Sequence, residues 1–344
     1  MKRFYTRFAQ GVAIVSLLAA CGGTAPSAPP ANNKTGSNEV GSSDAPVAKT
    51  NTLTAIKADV VSLDPAAGYW ANAPMLTLQT NSPVEKEKQG PAVSVQAVYD
   101  DTSIAMRFEW ADASETLLKG AWTWDGTTFT KGGEEDRVQL FWPIGNNPEF
   151  SSKGCSGACH NMDPDKEKWW MGSENADLRY DLWHWKSART NPAGQADDQW
   201  VGALKDPADV ESSRYGDEKA SGGYKDNVNE AGDGPAFMHS SNLEAQIIMA
   251  GEETAIDPTK LTNGMIVPGV LVSPAVGSRG DVNANGKWEN GKWVVVLMRS
   301  LDTSHDDDVS LIPPKPYPFG LAVTDNGGGM SHTVAPDVLT LEWQ

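Results

Sequence analysis

The sequence predicts an all-β protein, an antiparallel β-sandwich, from three observations. Alternating or β-branched runs recur along the chain, turn signals separate them, and no helical period of useful length appears after the N-terminus. Short strands joined in this way are typical of antiparallel sandwiches. The predicted strands are Val93–Tyr99, Ser103–Trp110, Arg137–Trp142, Lys292–Leu301, Phe319–Val323 and Val338–Trp343.

The turn signals are short polar stretches that contain Gly, Asn or Asp. Asn-Gly and Asp-Gly pairs favour the positive φ angles of tight hairpin turns. The predicted turns include Tyr99-Asp100-Asp101, Trp124-Asp125-Gly126, Asn285-Gly286, Asn290-Gly291 and Asp325-Asn326-Gly327.

The N-terminus resembles a bacterial lipoprotein signal. Three basic residues precede the apolar run Val12–Ala20, which leads directly into Cys21. The run is shorter than the roughly 20 residues of a membrane-spanning helix, so we predict a secretory signal over residues 1–20. The resemblance implies that Cys21 is lipidated and that the mature protein is extracytoplasmic and anchored to a membrane. The alternative is an ordinary signal peptide with a chance cysteine.

Residues 21–51 are rich in Ala, Ser, Pro, Asn, Gly and Thr and contain almost no large apolar side chains. Such a segment cannot bury enough apolar surface to fold. We therefore predict a flexible linker over 21–51. The remaining residues, 52–344, have a length compatible with one large all-β domain.

The middle of the chain, about residues 145–280, has a different composition. It is polar and rich in Gly, Asp and Trp, with few runs typical of strands. Long irregular segments inside a compact domain are usually functional or disordered. We expect a Trp-rich loop excursion around a cofactor, although these Trp side chains could equally pack loops that lack a core. The Trp residues concerned are Trp169, Trp170, Trp183, Trp185 and Trp200.

Residues Cys155–His160 form a Cys-x-x-x-Cys-His element, one residue longer than the signature of covalent c-type haem attachment. In that chemistry two thiols form thioethers to the haem, and the following histidine binds the iron. Cys155 and Cys159 would be the thioether ligands and His160 the proximal ligand. A zinc site, a redox dithiol or a local disulfide are the alternatives.

Cysteine usage favours haem attachment. The chain has only three cysteines, and lipidation of Cys21 leaves one closely spaced pair. No thiol remains for a disulfide framework, so the exported domain must be stable through its core. Export also favours haem, because c-type attachment takes place outside the cytoplasm.

Five stretches together resemble the haem-binding domains of the ethylbenzene dehydrogenase gamma-subunit type. They occur in the same order along the chain, and the resemblance covers about residues 52–344. The stretches are Asp100–Trp110, Glu135–Trp142, Asp181–Lys186, Gly291–Arg299 and His332–Leu341.

The resemblance implies a sandwich that holds one haem and relays electrons to partner proteins. In the family the haem is b-type, bound by a methionine after the central strands and a lysine near the C-terminus. Here Cys155–His160 stands near the methionine's place and His332 near the lysine's place. Keeping the positions but not the ligand types implies one covalent c-type haem. His332 is then the candidate distal ligand of the iron.

Three further residues are candidates for the haem pocket. His184 lies between Trp183 and Trp185, in a segment that could line the cofactor. A hydrogen-bonding role beside the haem is the simpler interpretation of His184, and ligation of the iron is its alternative.

Two acidic stretches do not predict a metal. Residues Asp281–Gly286 copy the start of an EF-hand loop, but Lys292 occupies the twelfth position, where a bidentate Glu is needed. A β-turn is the preferred interpretation, and we do not expect Ca²⁺ there. The acidic cluster Asp302–Asp308, which contains His305, is expected to be a solvated loop.

The net charge of −17 constrains the partners. Such a field repels nucleic acid and anionic membranes and steers basic partners in a salt-dependent way. We expect a monohaem c-type cytochrome lipoprotein that relays electrons and is not itself an enzyme. The alternatives are a haem subunit of a molybdenum oxidoreductase complex and a haem-free, sugar-binding sandwich.

Overall fold

The structure, a computed structural model, describes residues 51–85, 87–148, 150–152, 154, 171–173, 175, 177–203, 213–328 and 331–344. Within these residues the chain is almost entirely β-structure, as predicted. Short 3-10 helices occupy Gly68–Ala71, Asn191–Ala193, Pro258–Lys260 and Ser278–Gly280. Residues 148, 150–152 and 154 are also helical. In the described part of the chain, no helix is long and apolar enough to cross a membrane.

Thirteen of the strands form one large sheet. Its strands are β1 (Thr52–Lys57), β2 (Leu76–Asn81), β3 (Gln89–Tyr99), β4 (Ser103–Ala111), β7 (Glu135–Pro143), β8 (Tyr180–Lys186), β9 (Asp197–Val201), β10 (Arg214–Gly216), β17 (Asn283–Trp288), β18 (Lys292–Ser300), β19 (Tyr317–Gly327), β20 (Thr333–Val334) and β21 (Leu339–Trp343).

The other strands form three small sheets in the order β15-β5-β6, β11-β16-β13 and β12-β14. Their bounds are β5 (Ala121–Trp124), β6 (Phe129–Gly132), β11 (Lys225–Asp226), β12 (Phe237–His239), β13 (Ile248–Met249), β14 (Glu253–Ala255), β15 (Ile266–Val267) and β16 (Val270–Val272).

The large sheet folds over into two facing layers. One layer runs β10-β9-β8-β7-β19, and the other runs β2-β3-β4-β18-β17. Two short connections join the layers, the pairing of β20 with β2 and the pairing of β1 with both β21 and β3. Most pairings are antiparallel, whereas β1 pairs in parallel with both of its neighbours. This arrangement is the predicted β-sandwich.

The main core lies between the two layers. Trp110 of β4, Trp185 of β8 and Trp293 of β18 meet there, and the ring centroids of Trp185 and Trp293 are 5.0 Å apart. Because alternate residues of a strand point to opposite faces, each of these strands also has an outer side. In the layer β2-β3-β4-β18-β17, Val98 of β3 and Val296 of β18 lie on this outer side, and Trp70 packs against them.

The predicted strands are confirmed at nearly their full length. Val93–Tyr99 lies within β3 and Arg137–Trp142 within β7. The turn at Asn290-Gly291 is also present, with φ angles of 55° and 75°. It joins β17 to β18, which pair antiparallel from Trp288 and Trp293 outward.

The predicted turn at Asn285-Gly286 is wrong, because both residues lie inside β17. A Cβ atom on Gly286 would stand 2.3 Å from Trp185 Cζ2. Glycine is therefore needed at this position for close approach of the backbone to an aromatic ring, a common reason for glycine within a strand.

The middle segment is more regular than its composition suggests. Residues Tyr180–Lys186 and Asp197–Val201 form β8 and β9 of the large sheet. Every residue of β8 is buried, so the strand has no polar alternation to reveal it. Strands buried on both faces cannot be recognised by period-2 patterning.

Candidate functional site

The side of β7, β8, β9 and β19 that faces away from the main core is here called the outer face. Trp183 and Trp185 point from β8 into the main core. Because side chains alternate along a strand, Leu182 and His184 belong to the outer face. The structure thus separates the three predicted pocket residues and places His184 on the opposite side of the strand from both Trp rings.

One half of the outer face is apolar and aromatic. Phe141, Tyr180 and Leu182 pack there with Val201, and Phe150 from the helical residues after β7 covers them. The rings of Phe141 and Tyr180 stack with centroids 4.7 Å apart. Phe150 is completely buried, so the chain after β7 is held firmly on this face.

The described residues on both sides of 155–170 attach to the outer face. On the N-terminal side, Phe150 is part of the aromatic cluster, and a Cβ on Gly154 would lie 3.3 Å from Val338 Cγ2. On the C-terminal side, Met171 packs against the same cluster, and the amide of Ser173 donates to the carbonyl of Gly202 over 2.8 Å. The predicted haem residues Cys155, Cys159 and His160 lie outside the described residues, as do Trp169, Trp170 and Cys21.

His184 is the histidine most completely buried in the described chain, with 1% exposure. Its Nδ1 lies 3.0 Å from Oε1 of Gln199, whereas its Nε2 is buried without a hydrogen-bond partner. Burial lowers the pKa of His184 well below its ordinary value, and nearby Lys186 and Arg residues lower it further. The side chain is therefore a neutral imidazole with Nδ1–H donating to Gln199 and a lone pair on Nε2.

This arrangement suits a histidine that binds a metal through Nε2. Metal-binding histidines usually donate their second ring N–H to an acceptor that fixes the tautomer and the ring orientation. Gln199 fulfils that role for His184. An unpartnered buried nitrogen otherwise costs about 1–3 kcal/mol.

The remaining described histidines differ in environment. His332 stands directly before β20 and is 7% exposed. His239 lies in β12, where its Nδ1 accepts hydrogen bonds from the amides of Ser241 and Asn242. β7 and β19 separate β8, which carries His184, from β20, which His332 precedes.

An ionic network occupies the other half of the outer face. Lys186 forms a buried ion pair with Asp197, which also binds Arg279 Nε over 2.5 Å. Burial lowers the pKa of Lys186 to about 7, against the raising effect of Asp197. The pKa of Asp197 is lowered because Lys186 and Arg279 outweigh its burial.

A cavity of about 850 Å³ opens beside the residues that precede Cys155. Its walls are residues 143–148 and Ser151 on one side and residues 308–310, 312 and 315–318 on the other. Its volume is within the range of small-molecule and cofactor sites, about 300–1,000 Å³.

A second buried cluster, here called the arginine–aspartate cluster, contains Arg299, Asp181, Asp198 and Asp308. Arg299 of β18 is fully buried, and its Nη1 donates to Asp181 Oδ2 over 2.7 Å. The same nitrogen lies 3.0 Å from Asp308 and 3.5 Å from Asp198. Its guanidinium also covers the ring of Trp183, with 4.6 Å to the centroid. One arginine thus joins both layers of the sandwich.

The arginine–aspartate cluster places three carboxyl groups around the single guanidinium of Arg299. Burial raises the pKa of Asp181 to about 6, although Arg299 opposes this effect. The pKa of Asp198 is raised well above its ordinary value by burial and by Asp181. Asp217 directly follows β10. Burial and the charges of Asp307 and Asp308 raise its pKa to about 8.

The expectation of a solvated loop over Asp302–Asp308 is wrong for Asp308, which is 4% exposed. Its neighbours Asp302 and Asp306 are exposed as expected. No local pattern distinguishes Asp308 from them. Its burial results from contact with Arg299, which lies on β18 beyond the loop's own residues.

Replacement of Arg299 by Gln should destabilise the protein by about 3–5 kcal/mol, because it leaves buried carboxylates without a counter-charge. Urea unfolding monitored by tryptophan fluorescence measures this change. The control is Lys57→Gln, which removes an ion pair to Asp101 whose side chains are 57% and 86% exposed. That variant should unfold as the parent does, and equal unfolding midpoints for all three proteins would contradict the prediction.

Comparison with known proteins identifies the family. The family model described as ethylbenzene dehydrogenase matches residues 66–335. No curated protein sequence matches the chain.

The solved structures to which this chain is similar have very low identity to it. A protein from Bacteroides uniformis, described as a candidate carbohydrate-binding protein, has 9% identity and a TM-score of 0.38, and the similarity covers 86% of this chain and 99% of that protein. A family 9 carbohydrate-binding module from Caldicellulosiruptor kristjanssonii, bound to cellotriose, has 8% identity and a TM-score of 0.33, covering 85% and 93%. The same type of module bound to glucose has 9% identity and a TM-score of 0.34, covering 85% and 95%. Because these TM-scores are low, the ligands of these proteins are not assigned to the present chain.

The family match covers most of the described residues, and it includes the strands of both layers and the outer face. The resemblance of the five sequence stretches to this family is thereby confirmed. This protein belongs to the ethylbenzene dehydrogenase family.

Proposed function

We propose that this protein is a haem-carrying electron-transfer subunit or relay, with one c-type haem attached through Cys155 and Cys159. Its family is a haem-binding one that provides non-catalytic subunits to oxidoreductases. The covalent attachment is inferred from the Cys-x-x-x-Cys-His order, in which His160 would bind the iron. A bound haem supplies reversible one-electron chemistry at its iron.

The observation that carries this proposal is the position of the outer face. The described residues before and after 155–170 both pack against its aromatic cluster, and the same face buries His184. The residues present fit a haem, because an aromatic surface excludes water and a buried imidazole nitrogen has no other partner. The 850 Å³ cavity beside Ser151 provides further room next to the proposed attachment point.

Two histidines are candidates for a second residue that would bind the haem iron. The family resemblance places His332 there, and the structure provides a separate physical argument for His184. Gln199 holds Nδ1 of His184, so its Nε2 lone pair is oriented before any ligand arrives. We therefore propose His184 as the second ligand and keep His332 as the alternative.

The partner is proposed to be a redox protein or an oxidoreductase subunit with a basic docking surface. The net charge of −17 would accelerate such an encounter and make it sensitive to salt. A stable complex on purification would favour the subunit, and transient docking would favour the free relay. No step of substrate chemistry is assigned to this chain.

Covalent haem attachment should be lost in a Cys155→Ala, Cys159→Ala double variant. The measurement is a haem-dependent peroxidase stain of the denatured protein on a gel, after expression in a host that assembles c-type cytochromes. The parent should stain and the double variant should not, because the thioether bonds survive denaturation. Cys21→Ser is the matched control, since it removes the third cysteine and should keep the stain. A folded parent without stain would reject the c-type assignment and leave non-covalent haem or sugar binding to be tested.

The axial ligand can be identified from optical spectra of His184→Ala and His332→Ala. We expect His184→Ala to lose the low-spin spectrum while the haem stays covalently attached, and we expect added imidazole to restore it. His332→Ala should retain the parental spectrum, as should His239→Ala. The opposite result, with loss only in His332→Ala, would restore the assignment based on family resemblance.

Attachment to a membrane is proposed from the signal at residues 1–20 and the position of Cys21. We expect the mature protein to be extracytoplasmic and tethered through residues 21–51. Labelling of growing cells with a radioactive fatty acid should mark the parent and spare Cys21→Ser. Equal labelling of both would contradict lipidation at Cys21.

A further inference from the structure

The loop 302–309 meets the ends of β8, β9 and β18 at a group of buried carboxylates. Two acidic triads share Asp308 there. In the first, Asp181, Asp198 and Asp308 each offer an oxygen within 4.8 Å of the others. In the second, Asp217, Asp307 and Asp308 do the same. The triads therefore form one continuous group of five carboxylates.

The cationic side chains of the arginine–aspartate cluster are too few to balance these carboxylates. Arg299 carries a single positive charge and makes its hydrogen bond to Asp181. His305 Nδ1 approaches Asp308 Oδ2 to 3.7 Å, but its side chain is 41% exposed. Asp217 has Ser278 as its neighbour, with 3.5 Å from the serine Oγ to Oδ2, and this hydroxyl adds no charge. Five ionised carboxylates would therefore leave uncompensated negative charge in a buried position.

Several of the carboxylate oxygens are buried without a hydrogen-bond partner. Both oxygens of Asp198 and Oδ1 of Asp217 are in this state, with Arg299 Nη1 3.5 Å from Oδ2 of Asp198, and the two residues are 0% and 4% exposed. Buried polar groups in native proteins normally have a partner or bind an ion. These oxygens are an observation independent of the acidic composition, and they point to a missing partner at this place.

The spacing and the ligand type agree with a hard cation. Ca²⁺ binds carboxylate oxygens at about 2.3–2.6 Å, so two of its ligands can be at most about 5 Å apart. Mg²⁺ binds at about 2.0–2.1 Å and requires a tighter octahedral set. Carboxylate oxygens that lie within 4.8 Å of one another can therefore share one such cation.

We propose that Asp217, Asp307 and Asp308 bind a divalent cation of the Ca²⁺ type, with the buried Asp198 adjoining the site through Asp308. Asp181 stays paired with Arg299 and closes the inner side of the site.

An entry route exists on the solvent side. A cavity of about 520 Å³ is lined by Ser278 and by Ser304–Asp307, next to the partly exposed Asp307. The bound cation would connect the loop 302–309 to Asp217, which directly follows β10. It would thus fix the loop that also forms one wall of the 850 Å³ cavity, through Asp308 and Val309.

The test is calorimetric titration of Ca²⁺ into the full chain after treatment with EDTA, together with its thermal midpoint. We expect one saturable site and a thermal midpoint that rises with Ca²⁺. Asp217→Asn should weaken the affinity at least tenfold and abolish the rise. This variant keeps the side-chain shape and removes charge repulsion, so it should remain folded.

Asp306→Asn is the matched control, because Asp306 neighbours Asp307 in sequence and its side chain is 93% exposed. It should bind Ca²⁺ as the parent does. Absence of saturable binding in the folded parent would overturn the proposal and leave protons as the compensating charge. Equal loss of affinity in both variants would also overturn it, because it would indicate diffuse attraction to surface acids. Neither measurement depends on haem.

Discussion

Strand β8 is buried on both of its faces, and the two sides of this one strand create the two environments on which the rest of the structure depends. Toward the second layer, Trp183 and Trp185 build the core with Trp110 and Trp293. Toward the outer face, His184 and Lys186 lie among polar partners without contact with bulk water. The side chains of a strand in this position must both pack closely and form hydrogen bonds. We therefore expect β8 to tolerate few substitutions.

Arg299 pairs with buried carboxylates across the two layers of the sandwich. Desolvation of Arg299 and its carboxylate partners is expensive, and the gain from pairing recovers it only with good geometry and further hydrogen bonds. Arg299 meets this condition through Asp181 and through the carbonyl of Val309, which accepts from Nη2 over 2.7 Å. The excess carboxylates around it do not, and a bound cation would supply the charge that the protein lacks.

Haem binding and cation binding would act on different parts of the same layer. The outer face carries His184, and the arginine–aspartate cluster lies on the core side of the same strand through Asp181. The loop that contains Asp308 contributes to the wall of the 850 Å³ cavity as well. A cation that orders this loop would therefore also shape the surface next to the proposed haem attachment.

The sequence by itself determined the all-β class, the main strands with period-2 patterning, and the hairpin at Asn290-Gly291. These features depend on local propensity and on backbone φ preferences, which neighbouring residues decide. The Cys-x-x-x-Cys-His element and the lipoprotein signal are likewise local, and they remain predictions because they lie outside the described residues.

Only the tertiary structure decided which side of β8 each residue occupies and which charges meet. Asp181 and Arg299 are 118 residues apart in sequence, and His184 gains its partner from a separate strand. Asp308 is buried whereas its equally acidic neighbour Asp306 is exposed, because only Asp308 reaches Arg299. Such outcomes depend on long-range strand pairing and on desolvation, neither of which can be read from a residue's own neighbours in the sequence.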